Sequence, residues 1–165
     1  MMKRIEMNDP IALSQEGLHQ YETGDYISAF EYYSKAAKLG DAEAHYQLSL
    51  LYSDGHGVEK DKRKEIHHLE KAAIGGHPEA RHNLGCREWD SNDNAERAVK
   101  HWIIAATQGV DESIEALMHA FQKGFVRKVD LASTLRSHRA AVDSMKSTQR
   151  RDAAKAYRSE FLRSW

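Results

Sequence analysis

Apolar residues recur along this chain at the spacing of an α-helix. Two segments show the pattern most clearly: Ile27, Phe30, Tyr33 and Ala37 in the first, and Val99, Trp102 and Ala106 in the second. No stretch alternates apolar and polar residues with a period of two, which is the pattern of a half-buried strand. The chain is therefore predicted to be all-α, without a sheet.

The sequence also repeats itself at a nearly constant interval. Residues 34–48 align with residues 70–84 at an offset of 36 positions, and seven of the 15 aligned residues are identical. A third copy, residues 103–117, begins 33 positions after the second. Repetition at 20–50 residues is typical of proteins built from stacked supersecondary units. We therefore predict an array of repeats.

Each repeat is predicted to contain two helices. The first helix begins near Pro10, Ala42, Pro78 and Asp111. The second ends in the pattern Ala-Ala-x-x-Gly, because glycine readily takes the left-handed conformation that closes a helix. These glycines are Gly40, Gly76 and Gly109. The predicted repeats are about 8–40, 41–76, 77–109 and 110–146, with a terminal helix at about 147–163.

Two stretches of the chain resemble a known helical-repeat superfamily. Residues 17–40 resemble a tetratricopeptide unit, through Gly17, Tyr21, Gly24, Tyr26, Ala29, Tyr33 and Ala36. Residues 42–80 resemble the longer Sel-one-like repeat, through Leu48, Tyr52, Gly55-His56-Gly57-Val58, Asp61, Lys71-Ala72-Ala73 and Gly76. The resemblance implies a right-handed α-solenoid of about four antiparallel helix pairs plus a C-terminal capping helix.

One residue departs from the family pattern, and the first residues raise a further expectation. Glu65 stands where the family places a small residue, usually alanine, so the packing of that helix crossing needs an explanation. More loosely, residues 1–10 and 95–106 resemble multi-copy Sel-one-like proteins of single-celled algae, some of which carry a RING-like finger before the repeats. We therefore expect the chain to be a fragment or a shortened version of a longer protein.

Charge is distributed unevenly along the chain. Residues 1–121 carry 13 basic and 21 acidic side chains, a net charge of −8, whereas residues 122–165 carry 11 basic and four acidic ones, a net charge of +7. Near the C-terminus, Asp130 is a predicted helix N-cap, and Ser147 or Thr148 is predicted to begin the last helix. Arginines and lysines there are interpreted as the polar outer face of a solenoid cap. The alternative is a surface for nucleic acid or another polyanion.

No motif in the sequence indicates catalysis or a bound cofactor. The ten histidines and the single cysteine, Cys86, lack the spacing of a metal site. His68 and His101 occupy equivalent repeat positions and are predicted to stack too far apart to share a zinc ion. No apolar run is long enough to span a bilayer. We therefore expect no catalytic residue, no metal, no cofactor, no small-molecule substrate and no membrane partner.

The resemblance implies that the first helices of the repeats line a concave groove. The predicted partner-binding residues are Tyr21, Glu43, Tyr46, Leu50, Glu79, His82, Trp89, Glu112, Glu115 and His119. Beside them the same geometry implies Ile11, Ser14, Leu18, Ser53, Cys86 and Gln122. The glutamates at positions 43, 79 and 112 recur at one repeat position, so they are predicted to form a column of carboxylates along the groove.

The sequence therefore favours a protein–protein interaction scaffold or adaptor without enzymatic activity. Its groove would bind a basic or amphipathic segment of a partner protein, with aromatic anchors and acidic residues that steer the approach. The alternatives are a module that binds nucleic acid through the basic C-terminal helices, which is less favoured, and the substrate-adaptor part of a RING-type ubiquitin-ligase-like protein. The free cysteine and the lack of a targeting signal favour the cytoplasm or nucleus.

Overall fold

The computed structural model describes residues 9–91 and 94–163. Within these residues the protein consists of helices and short connections. The helices are α1 (Pro10–Glu22), α2 (Tyr26–Lys38), α3 (Ala42–Asp54), α4 (Lys62–Ile74), α5 (Pro78–Asp90), α6 (Ala95–Thr107), α7 (Asp111–Gln122) and α8 (Lys128–Arg163). None of the helices in this part of the chain is long and apolar enough to cross a membrane.

Polar side chains cap several of the helices. Asp61 is the N-cap of α4, where its carboxylate accepts hydrogen bonds from the backbone N–H groups of Arg63 and Lys64. Asp41 accepts a bond from Ala44 N–H in the same way at α3. Such caps satisfy N–H groups that have no partner inside the helix. In contrast, α7 begins at the predicted Asp111 without a side-chain cap.

The helices end at the predicted glycines. Gly40, Gly76 and Gly109 have φ angles of +87°, +91° and +100°, which is the left-handed region that the Ala-Ala-x-x-Gly pattern requires. The paired alanines before them are buried, as expected for small residues at close helix crossings. They are Ala36, Ala37, Ala72, Ala73, Ala105 and Ala106. The repeat pattern in the sequence therefore gives both the helix ends and the core positions.

The chain divides into two compact units, one up to His101 and one from Trp102 onward. In the first unit, α1 to α4 each pack against the next helix along the chain. One core cluster forms around Leu13, Tyr33 and Leu48, and another around Leu69 and Leu84. In the second unit, α7 packs against α8.

The predicted break before a separate terminal helix is wrong. α8 runs without interruption from Lys128 to Arg163. The hydroxyl of Ser147 donates to the carbonyl of Ser144 at 2.9 Å, and that of Thr148 donates to the same carbonyl at 3.1 Å. These bonds lie within the helix, whereas an N-cap accepts from N–H groups ahead of it. The sequence has no glycine or proline after Gly124 to end the helix.

Asp130 is not the N-cap of α8 either. It lies in the first turn of the helix, where its carboxylate accepts hydrogen bonds from Arg127 Nε at 2.7 Å and Nη2 at 3.0 Å. Other expectations for the chain ends lie outside the described residues: those for residues 1–8, Asn92, Asp93 and Trp165, and those for the side chains of Arg150, Ala154, Tyr157, Arg158, Phe161 and Arg163.

Candidate functional site

The first helices of three successive repeats carry the predicted groove residues of the first unit. A cavity of about 300 Å³, the α1–α3 cavity, is lined by Ile11, Ser14 and Leu18 from α1 and by Glu43 from α3. A second cavity of about 210 Å³, the α3–α5 cavity, is lined by Leu50 and Ser53 from α3 and by Cys86 and Arg87 from α5. We call the surface of α1, α3 and α5 on which both cavities lie the groove face.

Two glutamates of the groove face meet at one histidine. Glu43 Oε2 lies 2.9 Å from His77 Nε2, and Glu79 Oε2 lies 3.3 Å from His77 Nδ1. The hydrogen bond with His77 lowers the pKa of Glu43 below its usual value, and a hydrogen bond from Gln47 lowers it further. Burial raises the same pKa, but by less than these bonds lower it. Both glutamate side chains remain 52–56% exposed. The pair therefore presents negative charge to solvent.

The predicted aromatic anchors Tyr21 and Tyr46 are held by contacts within the protein. Tyr46 stacks on His77 with ring centroids 4.2 Å apart. Tyr21 packs edge-on against Tyr26 at 5.1 Å, and its hydroxyl lies 3.4 Å from His56 Nδ1. Each ring is half-buried. These contacts fix the ring orientations, which lowers the entropy lost when a partner binds.

The α3–α5 cavity contains an ion pair that explains the unusual glutamate of the sequence. Glu65 is 6% exposed, and Arg87 Nε donates to its Oε1 at 2.8 Å, with Nη2 of the same arginine also paired to that oxygen. Arg87 Nη2 lies 3.4 Å from Ser53 Oγ. Arg87 thus compensates the buried carboxylate.

The other predicted site residues divide between the two units. On α5, His82 Nε2 lies 3.4 Å from Cys86 Sγ, and Trp89 is half-buried. Glu112, Glu115 and His119 are exposed on α7, in the second unit. The structure therefore brings the first two members of the predicted glutamate column together around His77, while the third belongs to the unit that is described separately.

The repeats can be assigned to a family by comparison with known proteins. A model of the Sel1 repeat matches residues 13–41, 42–77 and 78–110, which together make up more than half of the chain. The chain belongs to the Sel1 repeat family. Proteins with Sel1 repeats are generally protein-interaction scaffolds, and the fold is typically non-catalytic.

One curated relative and two solved structures of Sel1 repeat proteins show how far the similarity extends. DAP3-binding cell death enhancer 1 of Mus musculus is 34% identical over 176 aligned positions, covering 83% of this chain and 34% of the mouse protein. The Sel1 repeat protein of Oxalobacter formigenes is 25% identical with a TM-score of 0.72, covering 84% of this chain and 61% of that one. The protein c5321 of uropathogenic Escherichia coli is 28% identical with a TM-score of 0.68, covering 81% and 31%.

These matches confirm the predicted fold class, an all-α solenoid of helical repeats. The chain spans about a third or less of the length of the curated relatives of the Sel1 family that it matches first.

Sequence reasoning missed the roles of His77 and Tyr33 at this site. His77 caps α5, because its Nδ1 accepts a hydrogen bond from the N–H of Ala80 at 3.3 Å, and its Nε2 lies 2.9 Å from Glu43 Oε2. Its position before Pro78, where a cap is expected, is the signal in the sequence. Tyr33 lies on α2 and is buried in the core, and it also lines the α1–α3 cavity. No spacing rule distinguishes these two roles.

His68 of this Sel1 chain pairs with a histidine of the preceding helix, His45. His68 Nδ1 lies 2.9 Å from His45 Nδ1, and the ring of Tyr52 stacks on His68 at 5.7 Å. Among the described residues, no group of three or more histidine, cysteine, aspartate or glutamate side chains is placed to hold a metal ion. The pair instead joins α3 to α4 by a hydrogen bond that needs one ring nitrogen to be unprotonated.

We expect this histidine pair to make stability depend on pH. Burial lowers the pKa of His68 to about 4, and the nearby charges of His45, His67 and Lys64 act in the same direction. The pKa of His45 is also lowered, by burial first and then by the charges of His67 and Lys71, although Asp41 acts in the opposite direction. In the unfolded chain histidine titrates near pH ~6.5. The stabilising contribution of the histidine pair is therefore complete above that pH and is lost as the pH falls toward 4. Because the rings are partly solvated, we expect a loss of roughly 1–2 kcal/mol.

The measurement is urea unfolding from pH 7 to pH 4, for the natural protein and for His68→Leu. Carboxylates titrate in part of the same range, so the difference between the two pH profiles isolates the histidine contribution. Parallel profiles would contradict the assignment.

Proposed function

We propose that this chain is a protein-interaction scaffold without catalytic activity of its own, and that its groove face binds a basic or amphipathic segment of a partner protein. The observation that carries the proposal is the pair of half-exposed carboxylates, Glu43 and Glu79, on either side of His77. They lie on the same face as two cavities with apolar residues in their walls. A segment with lysine or arginine beside apolar side chains complements that combination.

The two parts of the groove face would contribute differently to binding. Exposed carboxylates increase the rate of encounter with a positively charged segment and add specificity. Affinity comes mainly from side chains that fill a desolvated pocket. Ile11 and Leu18, both about half exposed, and Leu50 supply the apolar walls of such pockets. The name of the mouse relative states that it binds DAP3, which is consistent with an interaction role for this chain too.

The proposal is tested by selecting short peptides from a random display library on the protein. We expect the selected peptides to combine lysine or arginine with an apolar residue. Their affinity should fall about tenfold or more, which corresponds to ~1.4 kcal/mol, in the variant Glu43→Gln/Glu79→Gln. Titration by fluorescence polarisation gives the dissociation constants.

The matched control is Glu31→Gln/Glu96→Gln, which removes the same charge from exposed positions on α2 and α6. It should bind the selected peptides as the natural protein does. An equal loss of peptide affinity in both double variants would show that the effect depends only on net charge. That result would contradict the groove assignment. Selection of acidic peptides in place of basic ones would contradict the proposal. It would instead indicate that the binding surface is on α8, where Lys146, Arg151 and Lys155 are exposed.

A further inference from the structure

A buried hydroxyl at the α1–α3 cavity has no hydrogen-bond partner within the described part of the chain. It belongs to Tyr33, which is 1% exposed and lines the cavity. Burial, together with the charges of Glu43, Tyr21 and Glu22, raises the pKa of Tyr33 above its ordinary value, so the hydroxyl stays neutral. A buried polar group without a partner costs about 1–3 kcal/mol. The missing hydrogen-bond partner of the Tyr33 hydroxyl therefore needs a structural reason.

The position of the Tyr33 ring is fixed by a glycine. A Cβ atom at Gly17 would lie 2.8 Å from Cδ1 and Cε1 of the ring, so only glycine leaves room for the ring at this place. Gly17 lies on α1 and Tyr33 on α2, and the cavity lies between α1 and α3. The ring therefore packs closely against the backbone of α1 at Gly17.

The remaining walls of the cavity combine apolar and acidic groups. Ile11 and Leu18 supply the apolar surface, and each is about half exposed. Asp41 and Glu43 supply carboxylates, and none of the lysines or arginines within residues 9–91 and 94–163 lines the cavity. Asp41 Oδ1 is occupied by Ser14 Oγ at 2.9 Å and by the N–H of Ala44. Glu43, which also accepts from His77 and Gln47, keeps half of its surface in solvent. Glu43 and the Tyr33 hydroxyl therefore retain capacity for further hydrogen bonds.

We propose that the α1–α3 cavity is an anchor pocket for one arginine side chain of the partner segment. The inference rests on the proposed function and names the residue type that the groove face recognises. The alkyl stem of the arginine lies against Ile11 and Leu18. Its guanidinium group donates to the carboxylate of Glu43 and to the hydroxyl oxygen of Tyr33. Arginine suits the site because its planar fork donates several hydrogen bonds at once.

The experiment uses N-butylguanidinium, which reproduces the arginine side chain, and follows the methyl NMR signals of Ile11 and Leu18 in the whole chain. We expect saturable shifts at both residues. The dissociation constant should rise about 3- to 10-fold in Tyr33→Phe, because one hydrogen bond is lost, and about 10-fold in Glu43→Gln, because a charged partner is lost. Glu31→Gln, at an exposed position on α2 that does not line the cavity, is the matched control and should change it less than about twofold.

Tyr33→Phe retains the ring and removes only the hydroxyl that lacks a partner, so we expect it to fold with unchanged or slightly higher thermal stability. Four results would overturn the inference: n-butanol binding as tightly as N-butylguanidinium, n-butylammonium binding as tightly, an unchanged dissociation constant in Tyr33→Phe, or an effect of Glu31→Gln as large as that of Glu43→Gln.

Failure of the pocket and failure of the groove are distinguishable. If selected peptides lose affinity in Glu43→Gln/Glu79→Gln while N-butylguanidinium leaves Ile11 and Leu18 unshifted, the arginine pocket is wrong and the scaffold proposal stands. If N-butylguanidinium binds with the expected variant pattern while peptides ignore the groove face, the scaffold proposal is wrong and the pocket is overturned as a partner anchor.

Discussion

Replacing Arg87 by methionine is expected to lower the free energy of unfolding by about 2–4 kcal/mol, measured by urea denaturation at pH 7. The substitution retains a long apolar side chain but removes the guanidinium group that donates to Glu65. The Glu65 carboxylate is then left buried without a compensating charge. Removing one partner of a buried pair costs more than removing a surface pair, because the remaining charge has lost its hydration.

Two variants separate this effect from a general loss of charge. Arg127 also pairs with a carboxylate, Asp130, at 2.7 Å, but the two side chains are 79% and 37% exposed. Arg127→Met should therefore lower the free energy of unfolding much less than Arg87→Met does. The double variant Glu65→Ala/Arg87→Met restores the small residue of the repeat pattern and should regain most of the loss. Equal destabilisation by Arg87→Met and Arg127→Met would show that the Glu65–Arg87 pair contributes no more than an exposed pair.

The repeat architecture could be predicted because it depends on local chemistry. A proline or an acidic cap starts a helix, and Ala-Ala-x-x-Gly ends one, whatever the rest of the chain does. The predicted starts at Pro10, Ala42 and Pro78 accordingly agree with the structure, and α7 begins at the predicted Asp111 although no side chain caps it. The predicted helix start at Ser147 is wrong because serine and threonine hydroxyls can also bond to carbonyls within a helix. Only the conformation of the preceding backbone determines whether such a residue caps a helix or lies inside one.

Long-range compensation could not be predicted in the same way. Glu65 looked like a packing defect from the sequence, since its partner, Arg87, is 22 residues away on another helix. The groove residues were predicted from repeat position, which places Glu43 and Glu79 on one face but says nothing about the histidine between them. The unpartnered hydroxyl of Tyr33 is also beyond sequence reasoning, because it depends on how three helices meet.

Replacing Gly57 by alanine is expected to destabilise the first unit by about 2–4 kcal/mol. Gly57 lies in the loop between α3 and α4 with a φ angle of +71°, which alone strains a residue with a side chain. A Cβ atom there would also lie 2.6 Å from the carbonyl oxygen of Tyr26 and 3.1 Å from the backbone nitrogen of Ile27. Backbone atoms at the start of α2 cannot move aside as a flexible side chain can.

Gly55 in the same loop provides the matched control. Its φ angle is +76°, but a Cβ atom there would meet Lys60 Cγ at 3.0 Å, part of a long exposed side chain that can shift. Gly55→Ala should therefore cost only the backbone strain, about 1 kcal/mol. The loop also stacks His56 on Tyr26 at 4.5 Å, so Gly57→Ala should perturb the NMR signals of Tyr21 and Tyr26 more than Gly55→Ala does. Equal unfolding free energies for the two variants would contradict the close contact between Gly57 and the backbone at the start of α2.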